Sequence, residues 1–143
     1  MSRKVILILD DEPTILDAIK YQVSKTFGGE YEYELAESGE EGLEILEELI
    51  EEGLDMLIAI SDWLMPGMKG DDFLIELHNR FPNCVKIMVT GQADQQSIDR
   101  AFKEANLHKV IYKPWVKEEL VDAIRSGVSN LTKPSKGNKP LEG

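Results

Sequence analysis

The run Val5-Ile6-Leu7-Ile8-Leu9 contains no polar side chain and is stopped by two adjacent carboxylates, Asp10 and Asp11. Five consecutive apolar residues leave no face for water, so the segment is expected to be a strand covered on both sides. Strands of that kind belong to parallel sheets whose connections are helices. The rest of the chain fits this. Pro13 suits a first helical turn, and Ile15, Leu16, Ile19, Val23 and Phe27 repeat at helical spacing up to Gly28-Gly29. Tyr31, Tyr33 and Leu35 alternate with Glu32 and Glu34, the pattern of an edge strand wet on one side.

Ser38-Gly39-Glu40-Glu41 reads as a capping box, opening a helix with Leu43, Leu46 and Ile50 on one face and Gly53 as its stop. Leu54 to Ile60 reads as a third strand. Asp71 or Asp72 is expected to cap a helix bearing Phe73, Leu74, Leu77 and Phe81, which Pro82 ends. Val85 to Val89 is a fourth strand, and Asp94 opens a helix through Ile98, Ala101, Phe102 and Ala105. Val110 to Tyr112 is a fifth strand, followed by a helix marked by Leu120, Val121, Ile124, Val128 and Leu131. Five strand–helix units predict an α/β fold: one doubly wound, five-stranded parallel sheet in the flavodoxin-like order 2-1-3-4-5.

At 143 residues the chain has room for one domain with a real core and too little for a separate output module. The segment from Thr132 to Gly143 holds two prolines, two glycines and three lysines, and reads as a linker stub or appended tail outside a 1–131 domain. The net charge is −11; the tail carries +2, so residues 1–131 carry −13. Such a surface repels phosphate backbones and anionic lipid, which argues against direct nucleic-acid or membrane binding. The single cysteine, Cys84, has no partner for an internal disulfide and suits a small core residue. No apolar run approaches the roughly 20 residues that span a bilayer, and Val5–Leu9 is too short for a signal-peptide core, so the cytoplasm is expected.

Ligands of an open parallel sheet bind beyond the carboxyl ends of its strands, where strand order reverses. The polar residues that end the apolar runs are Asp10 and Asp11, Asp62, Thr90 and Lys113. In the expected order the first and third strands are neighbours, which would gather three carboxylates and one ammonium. Two like charges about 4 Å apart repel by roughly 4 kcal/mol at an effective dielectric of about 20, so such a cluster calls for a cation. Oxygen-only donors suit Mg²⁺, which completes its octahedron with water and phosphate oxygens. A carboxylate is also a nucleophile toward phosphorus, with Lys113 and Thr90 available to neutralise the transferring oxygens. The chemistry points to an Mg²⁺-dependent phosphoryl acceptor.

Four stretches make the reading sharper: Ile8-Leu-Asp-Asp-Glu-Pro13, Ser61-Asp-Trp-Leu-Met-Pro-Gly-Met-Lys-Gly70, Val89-Thr-Gly-Gln92 and Tyr112-Lys-Pro-Trp115. With them the chain resembles the receiver domains of bacterial two-component response regulators over essentially all of residues 1–131. The resemblance implies phosphorylation of Asp62 by a sensor histidine kinase, with Asp11 a direct Mg²⁺ ligand and Asp10 acting mainly through metal-bound water. It implies that the backbone carbonyl of Leu64 completes the coordination and that the Thr90 hydroxyl and Lys113 meet phosphoryl oxygens. It implies a cis peptide before Pro114, and an output domain or effector protein downstream. Receivers often carry a Tyr or Phe three residues before the lysine; here Val110 stands there, so an inward-swinging ring does not carry over. Leu64 and Gln92 occupy positions at which the family tunes hydrolysis of the aspartyl phosphate.

A haloacid-dehalogenase-type phosphohydrolase would place Asp-x-Asp after its first strand and needs a cap, whereas Asp10 and Asp11 are adjacent and no length remains for a cap. A receiver-like scaffold that is never phosphorylated has no use for the full set of acids, threonine and lysine. Neither glycine-rich nucleotide motif occurs. Eleven glutamates between Glu30 and Glu52, with no Lys or Arg among them, suit a solvated face better than a docking site for a basic partner. His78 and His108, isolated from other ligand types, read as surface residues, and Trp63 and Trp115 as packing.

Overall fold

The computed structural model describes residues 2–132, Thr132 for its backbone alone; the expected tail lies almost wholly outside the described residues. The strands are β1 (Lys4–Leu9), β2 (Glu32–Ala36), β3 (Met56–Ser61), β4 (Cys84–Thr90) and β5 (Lys109–Tyr112). The helices are α1 (Pro13–Phe27), α2 (Gly39–Glu51), α3 (Gly70–Arg80), α4 (Gln95–Ala105) and α5 (Lys117–Thr132). The sheet has the order β2-β1-β3-β4-β5, parallel at every pairing. Strand order reverses between β1 and β3, and Leu9 pairs with Ser61 there, which places Asp10 beside Asp62.

Side chains alternate across the sheet and feed two cores. Val5, Leu7 and Leu9 pack with Leu57, Ala59 and Met88 under α2, α3 and α4, around the fully buried Phe73. Ile6 and Ile8 pack with Ile58, Ile60, Val85, Ile87 and Val89 under α1 and α5. Both faces of β1 are therefore dry, as its composition requires. β2 lies at an edge, and the acidic stretch that it shares with α2 is partnered or solvated: Arg3 reaches Glu32 at 2.9 Å and Glu52 at 2.8 Å, and Arg80 reaches Glu47 at 2.7 Å. These cations come from outside the acidic stretch, in keeping with a solvated face.

Several local expectations are corrected. Asp71 and Asp72 do not cap α3: the helix begins at Gly70 behind Lys69, and both acids fall in its first turn. The first helical position lies against the loop after β3, where a Cβ on Gly70 would collide with the Asp62 carbonyl oxygen, so only glycine fits there. Ser38 does cap α2, accepting from the Glu41 N–H at 3.1 Å, but Glu41 reaches back to the Glu37 N–H at 2.8 Å rather than to that of Ser38. Phe102 is exposed on α4, and β2 begins at Glu32, after the buried Tyr31. Lys86 lies fully buried in β4, its ammonium donating to the Cys84 carbonyl at 2.8 Å, and burial lowers its pKa. Beside it Cys84 is buried as expected, its thiol pushed up to about 12 by burial.

His78 and His108 are half-buried rather than surface residues. Burial lowers the pKa of both, with the Lys86 ammonium acting in the same sense on His78 and Lys109 on His108. The Nδ1 of His78 is buried without a hydrogen-bond partner, and His108 Nε2 pairs with Ser126 Oγ at 2.7 Å. The unfolded chain takes up these protons near pH 6.5 and the folded chain only lower, so stability declines as pH falls through that window. Denaturant unfolding at about pH 7.5 and about pH 5.5 should show this loss, and His78→Leu should lose less on acidification than the parent chain.

Candidate functional site

The carboxyl ends of β1, β3, β4 and β5 meet at one rim. Asp10, Asp11 and Asp62 offer carboxylate oxygens that all lie within 4.8 Å of one another, with Asp10 and Asp62 buried and Asp11 exposed. Lys113, just after β5, closes the group: its Nζ donates to Asp10 Oδ2 at 2.8 Å and to Asp62 Oδ2 at 3.1 Å. The other Asp10 oxygen accepts from the Glu12 N–H at 2.9 Å, and Asp62 Oδ1 accepts from the Trp63 N–H at 2.7 Å. Asp11, Glu12, Asp62, Leu64, Thr90, Gly91, Gln92 and Lys113 surround an open cavity of about 350 Å³.

Each side chain is placed by the sheet. The Asp10 N–H donates to the Ala36 carbonyl at 3.1 Å and the Asp62 N–H to the Leu9 carbonyl at 3.0 Å, so the ladder continues one residue past each strand and aims both acids at the rim. The Lys113 N–H donates to the Thr90 carbonyl at 2.9 Å, pinning β5 to β4 at the same height. The Lys113–Pro114 peptide is cis. Thr90 is fully buried, and its hydroxyl donates to the Gln92 carbonyl at 2.9 Å while accepting from the Gln92 N–H at 3.2 Å. Every expected site residue thus lies at one rim, with the Thr90 hydroxyl bonded to its own loop. Val110 is partly buried and Tyr112 is exposed, so no ring points inward from this strand.

Burial raises the Asp10 carboxyl above its ordinary range and the Asp62 charge adds to this, against the opposing pull of Lys113 and the Glu12 N–H. For Lys113 burial acts downward, but its bonds to Asp10 and Asp62 outweigh it and the ammonium is raised. The pair holds the lysine charged while under-compensating the more deeply buried acid. The set is a hard, oxygen-only cluster short of positive charge.

The family profile of the response regulator receiver domain matches residues 6–125. The chain belongs to that family. As a receiver it is a phosphoacceptor module of two-component signalling, and its relatives are varied. It is 30% identical over 123 residues to the hydrogenase transcriptional regulatory protein HoxA of Cupriavidus necator, covering 86% of this chain and 24% of HoxA. It is also 30% identical to the chemotaxis protein CheY1 of Helicobacter pylori, with 83% of this chain and 92% of CheY1 aligned. Among solved structures, a CheY-like receiver domain protein of Methanospirillum hungatei superposes with a TM-score of 0.76 at 33% identity, over 91% of this chain and 97% of that one. The chain spans about a quarter or less of the length of several regulators it matches, and nearly all of the CheY-type proteins. Among the described residues no helix is long and apolar enough to cross a membrane.

Sequence reasoning missed the two backbone N–H groups, of Glu12 and Trp63, that hold the acids, and the bond of Asp71 to the Trp63 indole. No local pattern signals the last of these, since an acid near a helix start reads first as a cap. Lys113→Met removes the counter-charge of two buried carboxylates. In the absence of divalent cations this receiver should lose about 3–5 kcal/mol at neutral pH. Because the stranded acids then favour protonation, the deficit should shrink as pH is lowered, which equilibrium unfolding of both proteins across that range measures.

Proposed function

We propose that Asp62 is the phosphoryl acceptor of this receiver and that Asp10, Asp11 and Asp62, with the Leu64 carbonyl, hold Mg²⁺. Three carboxylates within 4.8 Å of one another form a donor set that fits this ion, which when bound neutralises phosphoryl oxygens. A carboxylate oxygen of Asp62 attacks phosphorus as the P–N bond to a kinase phosphohistidine breaks, the electron pair leaving with the imidazole. Lys113, already charged and bonded to Asp62, follows the oxygen that becomes anionic, and Thr90 gives up its bond to Gln92 to meet another. The single observation that carries the reading is the Lys113 ammonium bonded to Asp62 on the wall of the open cavity; Asp10, buried and bonded to the same ammonium, does not line that cavity.

The product is an aspartyl phosphate that biases the loops after β3 and β4, so the domain works as a switch rather than as a turnover enzyme. Its partners on this reading are a sensor histidine kinase and an output domain or effector, reached from a folded unit ending near residue 131, in the cytoplasm. The phosphoryl group makes the acceptor more anionic, and the −13 carried by residues 1–131 keeps the domain off nucleic acid.

Acetyl phosphate with Mg²⁺ should give an acid-stable, hydroxylamine-labile adduct of one phosphoryl group per chain, absent in Asp62→Asn. No adduct on the parent chain, or sustained turnover of phosphate esters, would overturn the assignment. Titrating Mg²⁺ against Trp63 fluorescence should give a saturable change that Asp11→Ala abolishes; an unchanged curve in that variant removes Asp11 from the metal site.

A further inference from the structure

Trp63 follows the acceptor and is held at both ends. Its backbone N–H donates to Asp62 Oδ1 at 2.7 Å and its indole Nε1–H donates to Asp71 Oδ1 at 3.0 Å. The Lys69 ammonium lies 5.6 Å from the ring centroid. Asp71 is only 5% exposed, and its second oxygen accepts from Arg100 Nη1 at 3.1 Å. The same nitrogen reaches Asp72 Oδ1 at 2.6 Å. Arg100 belongs to α4 and lies outside the cavity wall, as does Asp71. A continuous line of hydrogen bonds therefore runs from the Asp62 carboxylate through Trp63 and Asp71 to a helix that touches no reacting atom.

The line has a physical direction. A carboxylate as buried as Asp71 must be served by donors, and a charged guanidinium serves it better than an indole N–H alone. Arg100 thus holds one oxygen of Asp71 and leaves the other turned toward the Trp63 indole. The indole bond fixes the ring, and the ring fixes the peptide whose N–H occupies Asp62 Oδ1. With Oδ1 taken, Oδ2 is the oxygen presented to Lys113. We propose that Asp71 and Arg100 are positioning residues for phosphoryl transfer to Asp62, holding its carboxylate in the attacking rotamer through Trp63 and tying that rotamer to α4. The inference rests on Asp62 being the acceptor. It assigns the tie to residues present in this chain, in which Val110 leaves no inward ring on β5 to provide one.

The test uses the full chain with Trp115→Phe as background, so that Trp63 is the one tryptophan, excited selectively over the four tyrosines. The rate of adduct formation from acetyl phosphate and the Mg²⁺ dependence of emission are measured for Arg100→Met, Arg100→Lys, Asp71→Asn and Asp72→Asn. Arg100→Met and Asp71→Asn should slow adduct formation about tenfold and alter Trp63 emission, with the shift in Mg²⁺ half-saturation expected of a loosened Asp62. Arg100→Lys should recover part of the rate. Asp72→Asn removes the other partner of the arginine without reaching Trp63 and should behave as the background protein. Background-like rates and emission in Arg100→Met and Asp71→Asn overturn the inference. So does an equal slowing in Asp72→Asn, which would mark a general loosening of α4. Failure of the background protein itself to form an adduct would instead sink the assignment of Asp62.

Discussion

The bond that organises this domain is the one Lys113 makes to two acids at once. Its ammonium draws the ends of β1, β3 and β5 to one point, at 2.8 Å from Asp10 and 3.1 Å from Asp62. Without it two buried carboxylates would face each other in a region of low dielectric, a repulsion of several kcal/mol that the hydrophobic cores beneath would have to absorb. With it the rim is still short of positive charge, and that shortfall is what makes the site chemically useful. The clustered charge rests on a sheet that is covered on both faces.

A second constraint is the approach of Gly70 to the Asp62 carbonyl. It brings the start of α3 against the loop after β3, with the Gly70 N–H donating to the Trp63 carbonyl at 2.8 Å. The loop from Trp63 to Lys69 is thereby closed at both ends, so Leu64 and Trp63 are presented from a fixed frame instead of from a free surface segment. The same closure carries Asp71 to the indole. The acid that looked like a helix cap lies in the middle of a hydrogen-bonded link between Asp62 and α4, and the helix begins without a side-chain cap, its first turn anchored to the loop before it.

Much of the fold and of the site was legible in the chain before any coordinates. The apolar run before Asp10 announced a strand dry on both sides, and the periodicities of the flanking segments supplied the helices. The polar residue at the end of each run supplied the site, because in a parallel sheet those ends share a rim. The errors were local and have physical causes. Periodicity counts Phe102 as a core position although it projects to solvent, and composition cannot tell that Lys86, in the middle of a buried strand, stays inside by bonding the Cys84 carbonyl. His78 and His108 looked isolated because their neighbours come from other elements.

By itself the sequence determined the element order, the sidedness of each strand and the residues that reach the rim, since these depend on the alternation of apolar and polar groups over a few positions. Only the tertiary structure decided which acids share the lysine, which backbone N–H groups restrain them, and how Trp63 is tied through Asp71 to Arg100. Those facts depend on distances between segments far apart along the chain. Distances of that kind are set by strand order and by how closely backbones can approach, as at Gly70, and no local pattern encodes them.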